Sequence, residues 1–179
     1  AVPVLLTAKR QTLMTIKTKR PGEVGADLVA AALGARETYG SPVIVISYGT
    51  ATVFIAVSAQ GEYIGVAIAP GINISVDALV GRTAKLPQIA LEAPKRALGT
   101  DTISALQSGI VFGFVGQTEA LVARFREEMG ADVRVVATGG LAEVVARHST
   151  VIDEVNPHLS LIGLRKFYES TRAARETGH

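Results

Sequence analysis

The feature that most limits the fold is a continuous apolar run, Val43 to Ile46, which is followed closely by a glycine turn. Such a run is typical of a strand buried on both faces in the middle of a sheet. Tyr48-Gly49-Thr50 forms the turn, and a second strand follows from Val53 to Val57. A hairpin turn at Ala59-Gln60-Gly61 then leads into a third strand, Tyr63 to Ala69. These residues predict an antiparallel meander at the centre of the fold.

Helices and one more buried strand surround this meander. The alanine-rich stretch from Ala26 to about Thr38 predicts a helix that ends near Gly40. A long helix is capped by Thr100 or Asp101 and runs through Met129 to a stop at Gly130. The other predicted elements are short strands at Val4–Leu6 and Leu13–Ile16, a helix at Ser75–Arg82, an irregular stretch at 84–100, a strand at Val133–Ala137, a helix at Leu141–Arg147, an extended Val151-Ile152 and a helix at Ser160–Ala174. The order predicts a mixed α/β protein with helices packed on its sheet.

Three glycines, Gly109, Gly113 and Gly116, recur along the long helix at three- and four-residue spacing. Small residues at that spacing let another helix approach closely. We favour this packing interpretation over a contact with a ligand.

Composition and charge exclude several classes of function. The 179 residues include no cysteine, which excludes disulfides and cysteine-ligated zinc, and the three histidines lack metal-ligand spacing, so no metal site is predicted. The net charge is +2, and the basic residues near Lys9 and from Lys17 to Arg20 indicate a solvated face rather than a nucleic-acid site. No apolar run reaches the roughly 18 residues of a membrane helix, and no signal peptide is recognisable. We therefore expect a cytoplasmic protein that binds neither nucleic acid nor membrane.

Three glycine turns follow strands or open helices: Gly25-Ala26-Asp27, Gly49-Thr50-Ala51-Thr52 and Thr138-Gly139-Gly140. Each could present backbone N–H groups to a phosphate, although each alone is also an ordinary structural turn. None is a Walker P-loop. Gly49-Thr50 between two strands, with a hairpin after it, suggests an ATPase domain of the acetate kinase–sugar kinase–actin type.

Several strings resemble the type III pantothenate kinase family. They occur in order and at family-like spacing from about Val4 to Glu169. The strings are Pro21–Asp27, Tyr48–Thr52, Gly65–Gly71, Arg82–Pro87, Gly109–Gly113, Ala137–Ala142 and Ile152-Asp153. The resemblance implies a ribonuclease-H-like fold of the actin-like superfamily. It implies that residues 1–40 are a remnant of the first domain and that residues 41–179 form the second.

The resemblance also implies a reaction, the ATP-dependent phosphorylation of pantothenate in coenzyme A synthesis. Family members form dimers, place the pantothenate pocket at the interface, and use Mg²⁺ and often K⁺ or NH₄⁺. Asp27 would be the general base on the pantothenate hydroxyl; alone, it could equally be a helix residue stabilised by the dipole. The other implied roles are Gly25 beside the substrate, Thr83 reaching pantothenate from a second subunit, Arg82 positioning that loop, Gly49 and Thr50 at the ATP phosphates, and Gly139 and Gly140 at the adenosine half.

The sequence departs from the family pattern in three places. It contains no Asp-x-Gly-Asn-Thr turn, which is the family's first phosphate-binding segment. Leu28 stands where the family has an arginine, which would hold a carboxylate, and Ser47 stands where it has an aspartate, so we do not expect a monovalent cation site.

Three interpretations follow from these departures. In the first, the chain is one subunit of a split or hetero-oligomeric pantothenate kinase, inactive alone, and a partner supplies the missing segment. In the second, it is a non-catalytic subunit that binds and regulates or stabilises an active paralogue. In the third, it is a truncated piece of an ordinary member, which Leu28 and Ser47 argue against because truncation changes no internal residue.

Overall fold

The structure is a computed structural model that describes residues 4–82, 86–130 and 132–177, with side chains as far as residue 173. A short 3₁₀ turn, Pro21–Glu23, precedes the first helix. The elements are α1 (Ala26–Tyr39), β1 (Val43–Tyr48), β2 (Ala51–Val57), β3 (Tyr63–Pro70), α2 (Ile72–Gly81), α3 (Thr102–Met129), β4 (Arg134–Thr138), α4 (Ala142–Ala146), β5 (Glu154–Val155) and α5 (Leu159–Thr177).

The five strands form one mixed sheet in the order β3-β2-β1-β4-β5. β1 to β3 form the predicted antiparallel meander, and β4 pairs parallel to both β1 and β5. β1 lies at the centre with every side chain buried except that of Ser47, which is half-buried. This topology confirms the mixed α/β fold class.

The two faces of the sheet carry separate cores because alternate side chains of a strand point to opposite sides. Val43 and Val45 face α1 and α5, whereas Ile44 and Ile46 face α3 and α4. Both sets belong to the same apolar run, which explains why the run shows no alternation.

Helices α1 and α5 cross with their backbones in contact. A Cβ atom at Gly34 would run into the carbonyl oxygen of Leu159, and one at Gly163 would run into that of Ala30. Only glycine fits at either position, so this close crossing fixes α5 over α1. The glycines of α3 behave differently, since no atom of the described residues lies within 4 Å of a Cβ placed at Gly109, Gly113 or Gly116. The described residues place no helix close to that stripe, so the predicted close approach stays a prediction.

Most predicted elements are confirmed. α3 begins at an Asp101 cap, in which Ser104 N donates to Asp101 Oδ1 at 3.0 Å, and ends at Gly130 in the left-handed conformation with a φ of 65°. This hydrogen bond lowers the pKa of Asp101. Between residues 86 and 100 the described chain forms no helix or strand, as expected.

The two predicted N-terminal strands are wrong. Gln11 Nε2 donates to the Met14 carbonyl at 2.6 Å and Gln11 Oε1 accepts from Met14 N at 2.8 Å. These bonds close a turn, and only Ile16 makes a single bridge, to Tyr63. The short strand expected at Val151-Ile152 lies a few residues later, at Glu154–Val155.

The domain boundary between residues 40 and 41 stays a prediction. In the described ranges, no helix is both long and apolar enough to cross a membrane.

We predict that Gly163→Ala lowers the free energy of unfolding by about 2–3 kcal/mol, because its Cβ meets backbone that cannot move aside. Gly109→Ala is the matched control in an exposed helix position, and we expect it to raise stability by about 0.5–1 kcal/mol. Urea unfolding followed by circular dichroism measures both. Equal effects of the two substitutions would show that the α1–α5 crossing is not close.

Candidate functional site

Two glycine turns meet at one edge of the sheet. Since β1 and β4 are parallel neighbours, with Ser47 opposite Thr138, their carboxyl ends lie side by side. Tyr48 leads into Gly49-Thr50, and Thr138 leads into Gly139-Gly140. Gly139 has a φ of 96°, and a Cβ there would run into the Tyr48 carbonyl. The structure therefore brings the four glycine-turn residues predicted to contact nucleotide into one place.

A third backbone segment joins this edge at the start of α2. Gly71 caps the amino end of that helix, and a Cβ on it would lie 2.5 Å from the Gly49 carbonyl and closer still to that of Thr50. No site role is predicted for Pro70-Gly71 from the sequence. The signal was present, because the dipeptide belongs to one of the family-like strings.

We call the surface formed by Gly49-Thr50, Gly71 and Gly139-Gly140 the glycine edge. It can receive an anion mainly through backbone groups. Gly49 N already donates to Ala51 O at 3.1 Å, but Thr50 is exposed, and no described atom lies within 4 Å of a Cβ at Gly140. The amino end of α2 adds N–H groups that lack helical partners. Open glycine surface beside a helix terminus is suited to phosphate.

Gly25 and Asp27 lie together at the amino end of α1, apart from the glycine edge. Asp27 is exposed in the first turn, and its Oδ1 lies 2.5 Å from where a Gly25 Cβ would be. Since the cap residue is a glycine without a side chain, the first N–H groups of α1 have no side-chain partner. The helix dipole favours the charged carboxylate at this position.

A cavity of about 600 Å³ separates the amino end of α1 from β3. Its apolar wall consists of Val24, Leu28, Val66 and Ile68. Its polar and remaining lining residues are Thr18, Lys19, Arg20, Glu23, Gly25 and Tyr63. Leu28 thus contributes apolar surface to the wall, where the family pattern led us to expect a guanidinium.

Two hydroxyl groups at this cavity lack partners. Tyr63 is fully buried, and neither its hydroxyl nor Thr18 Oγ1 has a hydrogen-bond partner among the described residues. Burial raises the pKa of Tyr63 to about 12, and the negative charge of Asp27 acts in the same direction. Buried polar atoms without protein partners are commonly satisfied by a ligand or water. No sequence signal marks this pair, because it depends on residues 15–17 pairing with the start of β3.

The cavity leads along β3 toward the glycine edge. Ile68 lines the cavity, and Gly71, three residues later, contacts the Gly49-Thr50 turn. Three residues of extended chain span roughly 10 Å. A ligand in the cavity could therefore extend one end toward a phosphate held at the edge.

The remaining predicted site residues lie elsewhere. Arg82 is exposed at the far end of α2, about 15 Å of helix from Gly71. Thr83 lies outside the described residues. Ser47 provides a hydroxyl without charge, and the described residues contain no group of three or more His, Cys, Asp or Glu able to hold a metal ion.

We predict that Tyr63→Phe raises the free energy of unfolding by about 1 kcal/mol at pH 7, because it removes an unpaired buried hydroxyl. Because burial raises the pKa of Tyr63 to about 12, the unfolded chain loses this proton before the folded chain does, and the parent loses stability as the pH rises from about 10 toward 12. The variant should therefore lose less stability between pH 9 and 11 than the parent chain does.

Tyr48→Phe is the matched control for this prediction. The Tyr48 hydroxyl is bonded to Thr118 Oγ1 at 2.7 Å, so its loss should lower stability by about 1 kcal/mol. Urea unfolding at each pH measures both variants, and a destabilised Tyr63→Phe would show that its hydroxyl is paired.

Comparisons with known proteins place the chain in a family. A sequence profile for type III pantothenate kinase matches residues 1–124. The type III pantothenate kinase of Acidobacterium capsulatum is 48% identical over 174 residues, which are 97% of this chain and 64% of that protein. That of Roseiflexus castenholzii is 48% identical over 170 residues, 95% of this chain and 67% of that protein. The chain thus spans about two thirds of the length of these relatives.

A solved structure supports the fold. The chain superimposes with a TM-score of 0.59 on a Campylobacter jejuni protein named as a Baf family transcriptional activator. The two are 20% identical, and the match covers 94% of this chain and 70% of the other. On the strength of the profile match and of these relatives, the chain belongs to the type III pantothenate kinase family.

Proposed function

We propose that this chain takes part in the ATP-dependent phosphorylation of pantothenate in coenzyme A synthesis. The observation that carries the proposal is the cavity beside β3. The amino end of α1, next to Asp27, forms one side of this cavity. The end of the cavity at Ile68 lies about 10 Å from the glycine edge. Phosphoryl transfer needs an acceptor site and a phosphate site in this kind of proximity.

The chemistry of the cavity suits pantothenate. That molecule has a branched dimethyl carbon, two hydroxyls, an amide and a carboxylate. The wall of Val24, Leu28, Val66 and Ile68 suits the branched carbon, and the unpartnered Thr18 and Tyr63 hydroxyls suit the amide and hydroxyls. Apolar pockets with a few placed polar groups are typical of small-molecule sites.

In this proposal, the hydroxyl oxygen of pantothenate forms a bond to the γ-phosphorus of ATP, and Asp27 accepts the proton of that hydroxyl. The bond from that phosphorus to the β-phosphate oxygen breaks, and ADP leaves. Thr50 and the open face of Gly140 contact the phosphates and the nucleotide. Gly25 keeps the space in front of the Asp27 carboxylate clear.

Magnesium would neutralise phosphate charge and would arrive bound to ATP, because the described residues provide no carboxylate set for it. Ser47 carries no charge, so we propose no monovalent cation there. Residues of a partner chain, in a homo- or hetero-oligomer, complete the phosphate site.

A second candidate function is a non-catalytic kinase-like subunit that binds and regulates or stabilises an active paralogue. The absence of charged side chains at the described glycine edge favours it. Gly49, Thr50, Gly71, Gly139 and Gly140 supply no cation or carboxylate. Phosphoryl transfer depends on neutralising charge at this position.

We predict that Asp27→Asn lowers kcat by about 10²–10⁴-fold, because it removes the general base. Gly25→Ala should lower kcat at least about tenfold while leaving the unfolding midpoint unchanged, since its Cβ displaces only the movable Asp27 carboxylate. Gly109→Ala controls for the effect of adding a methyl group, because no atom of the described residues lies within 4 Å of a Cβ at that position.

The measurement is transfer of labelled phosphate from ATP to pantothenate, with Mg²⁺ present. It uses protein isolated from its native cells, which retains a bound partner, and the purified chain alone. Unchanged turnover by Asp27→Asn would remove Asp27 from the mechanism. A folded chain that binds both substrates without turnover in either preparation would contradict the catalytic proposal and support the second candidate.

A further inference from the structure

We propose that Lys19 binds the carboxylate of pantothenate and thereby selects the free acid over its neutral amides. This inference rests on the proposed function and deepens it, because it identifies the residue that determines which form of the substrate the cavity accepts. The supporting observations are the charges that line the cavity and the way the segment carrying Lys19 is held.

The cavity offers one unpaired cation. Among its lining residues only Lys19, Arg20 and Glu23 are charged. Arg20 Nη1 lies 3.1 Å from Glu23 Oε1, so that pair largely cancels itself. Lys19 is exposed and has no ion pair with any described residue. Lys19 is therefore the cation that can attract an acidic ligand at this cavity, with the modest strength of an exposed ion pair.

The position of Lys19 is set by hydrogen bonds to β3. Tyr63 N donates to Thr15 O at 2.9 Å, and Lys17 N donates to Tyr63 O at 2.8 Å. These two bonds hold residues 15–17 against the start of the strand. Thr18 and Lys19 follow directly and line the cavity, so the fixed segment brings the Lys19 side chain to its rim.

The two ends of the ligand are distinguished by charge. Asp27 lies beside Gly25 at the amino end of α1, and its carboxylate repels a second carboxylate. The hydroxyl end of pantothenate therefore faces Asp27, and the acid end is left to the cation at the rim. An attraction at Lys19 and a repulsion at Asp27 give the substrate one orientation.

Pantetheine tests this assignment because it has the same body as pantothenate with a neutral amide in place of the carboxylate. Titration calorimetry of the 179-residue chain with each compound measures the two affinities. We expect Lys19→Gln to weaken pantothenate binding roughly three- to fivefold, as for an exposed ion pair, and to leave pantetheine binding unchanged. Lys19→Arg should restore the affinity for pantothenate.

Lys17→Gln is the matched control, because Lys17 pairs with Glu62 at 3.5 Å and does not line the cavity. It should change neither affinity. In the parent chain, raising the salt concentration should weaken pantothenate binding more than pantetheine binding, and Lys19→Gln should abolish that difference.

The outcomes separate this inference from the function on which it rests. If the folded parent chain binds neither compound, the proposed substrate is wrong and the role of Lys19 is wrong with it. If both compounds bind and Lys19→Gln weakens both equally, or neither, the function stands and the role of Lys19 is refuted. Circular dichroism of each variant confirms that it is folded.

Discussion

The parallel pairing of β1 with β4 is the constraint on which the glycine edge depends. It places the carboxyl ends of the two strands side by side, so the Tyr48-Gly49-Thr50 turn and the Gly139-Gly140 turn meet although some 90 residues separate them in the chain. The pairing requires a β1 strand that is apolar on both faces. The close crossing of α1 and α5 then covers one face, and α3 covers the other.

The cavity beside β3 exists because the sheet ends there. β3 is an edge strand, and Val66 and Ile68 keep exposed apolar surface that α1 does not cover. A fully optimised fold would pair the Tyr63 hydroxyl or replace it with an apolar group. An unpaired buried hydroxyl in such a place lowers stability, and departures of this kind are characteristic of functional sites.

The sequence predicts the elements with strong local signals. The apolar run of β1, the Asp101 cap and Gly130 stop of α3, and the turns at Gly49 and Gly139 all rest on short-range chemistry. The first twenty residues were mispredicted because weak alternation there is overridden by the side chain of Gln11, which bonds to the Met14 backbone. Glycine spacing alone cannot say which helices cross closely within the chain, and the crossing of α1 with α5 uses Gly34 and Gly163.

The candidate site was predictable only in part, because some of its residues come together through pairing between segments that are far apart in the chain. Gly25, Asp27 and the glycine turns belong to short strings that can be recognised along the chain. Thr18 and Tyr63 both line the cavity because residue 16 pairs with residue 63, and no local pattern encodes that pairing. The charge balance of the cavity depends on the same pairing, because it brings Lys19 and Arg20 to β3.

We propose that pantothenate binds in the cavity between α1 and β3. The most direct measurement is the methyl ¹H–¹³C spectrum of the chain, recorded as pantothenate is added. We expect the methyl signals of Leu28, Val66 and Ile68 to shift in a saturable manner, and those of Ile103 and Leu161, which are exposed elsewhere, to stay unchanged. Shifts confined to methyl groups outside the cavity would contradict it.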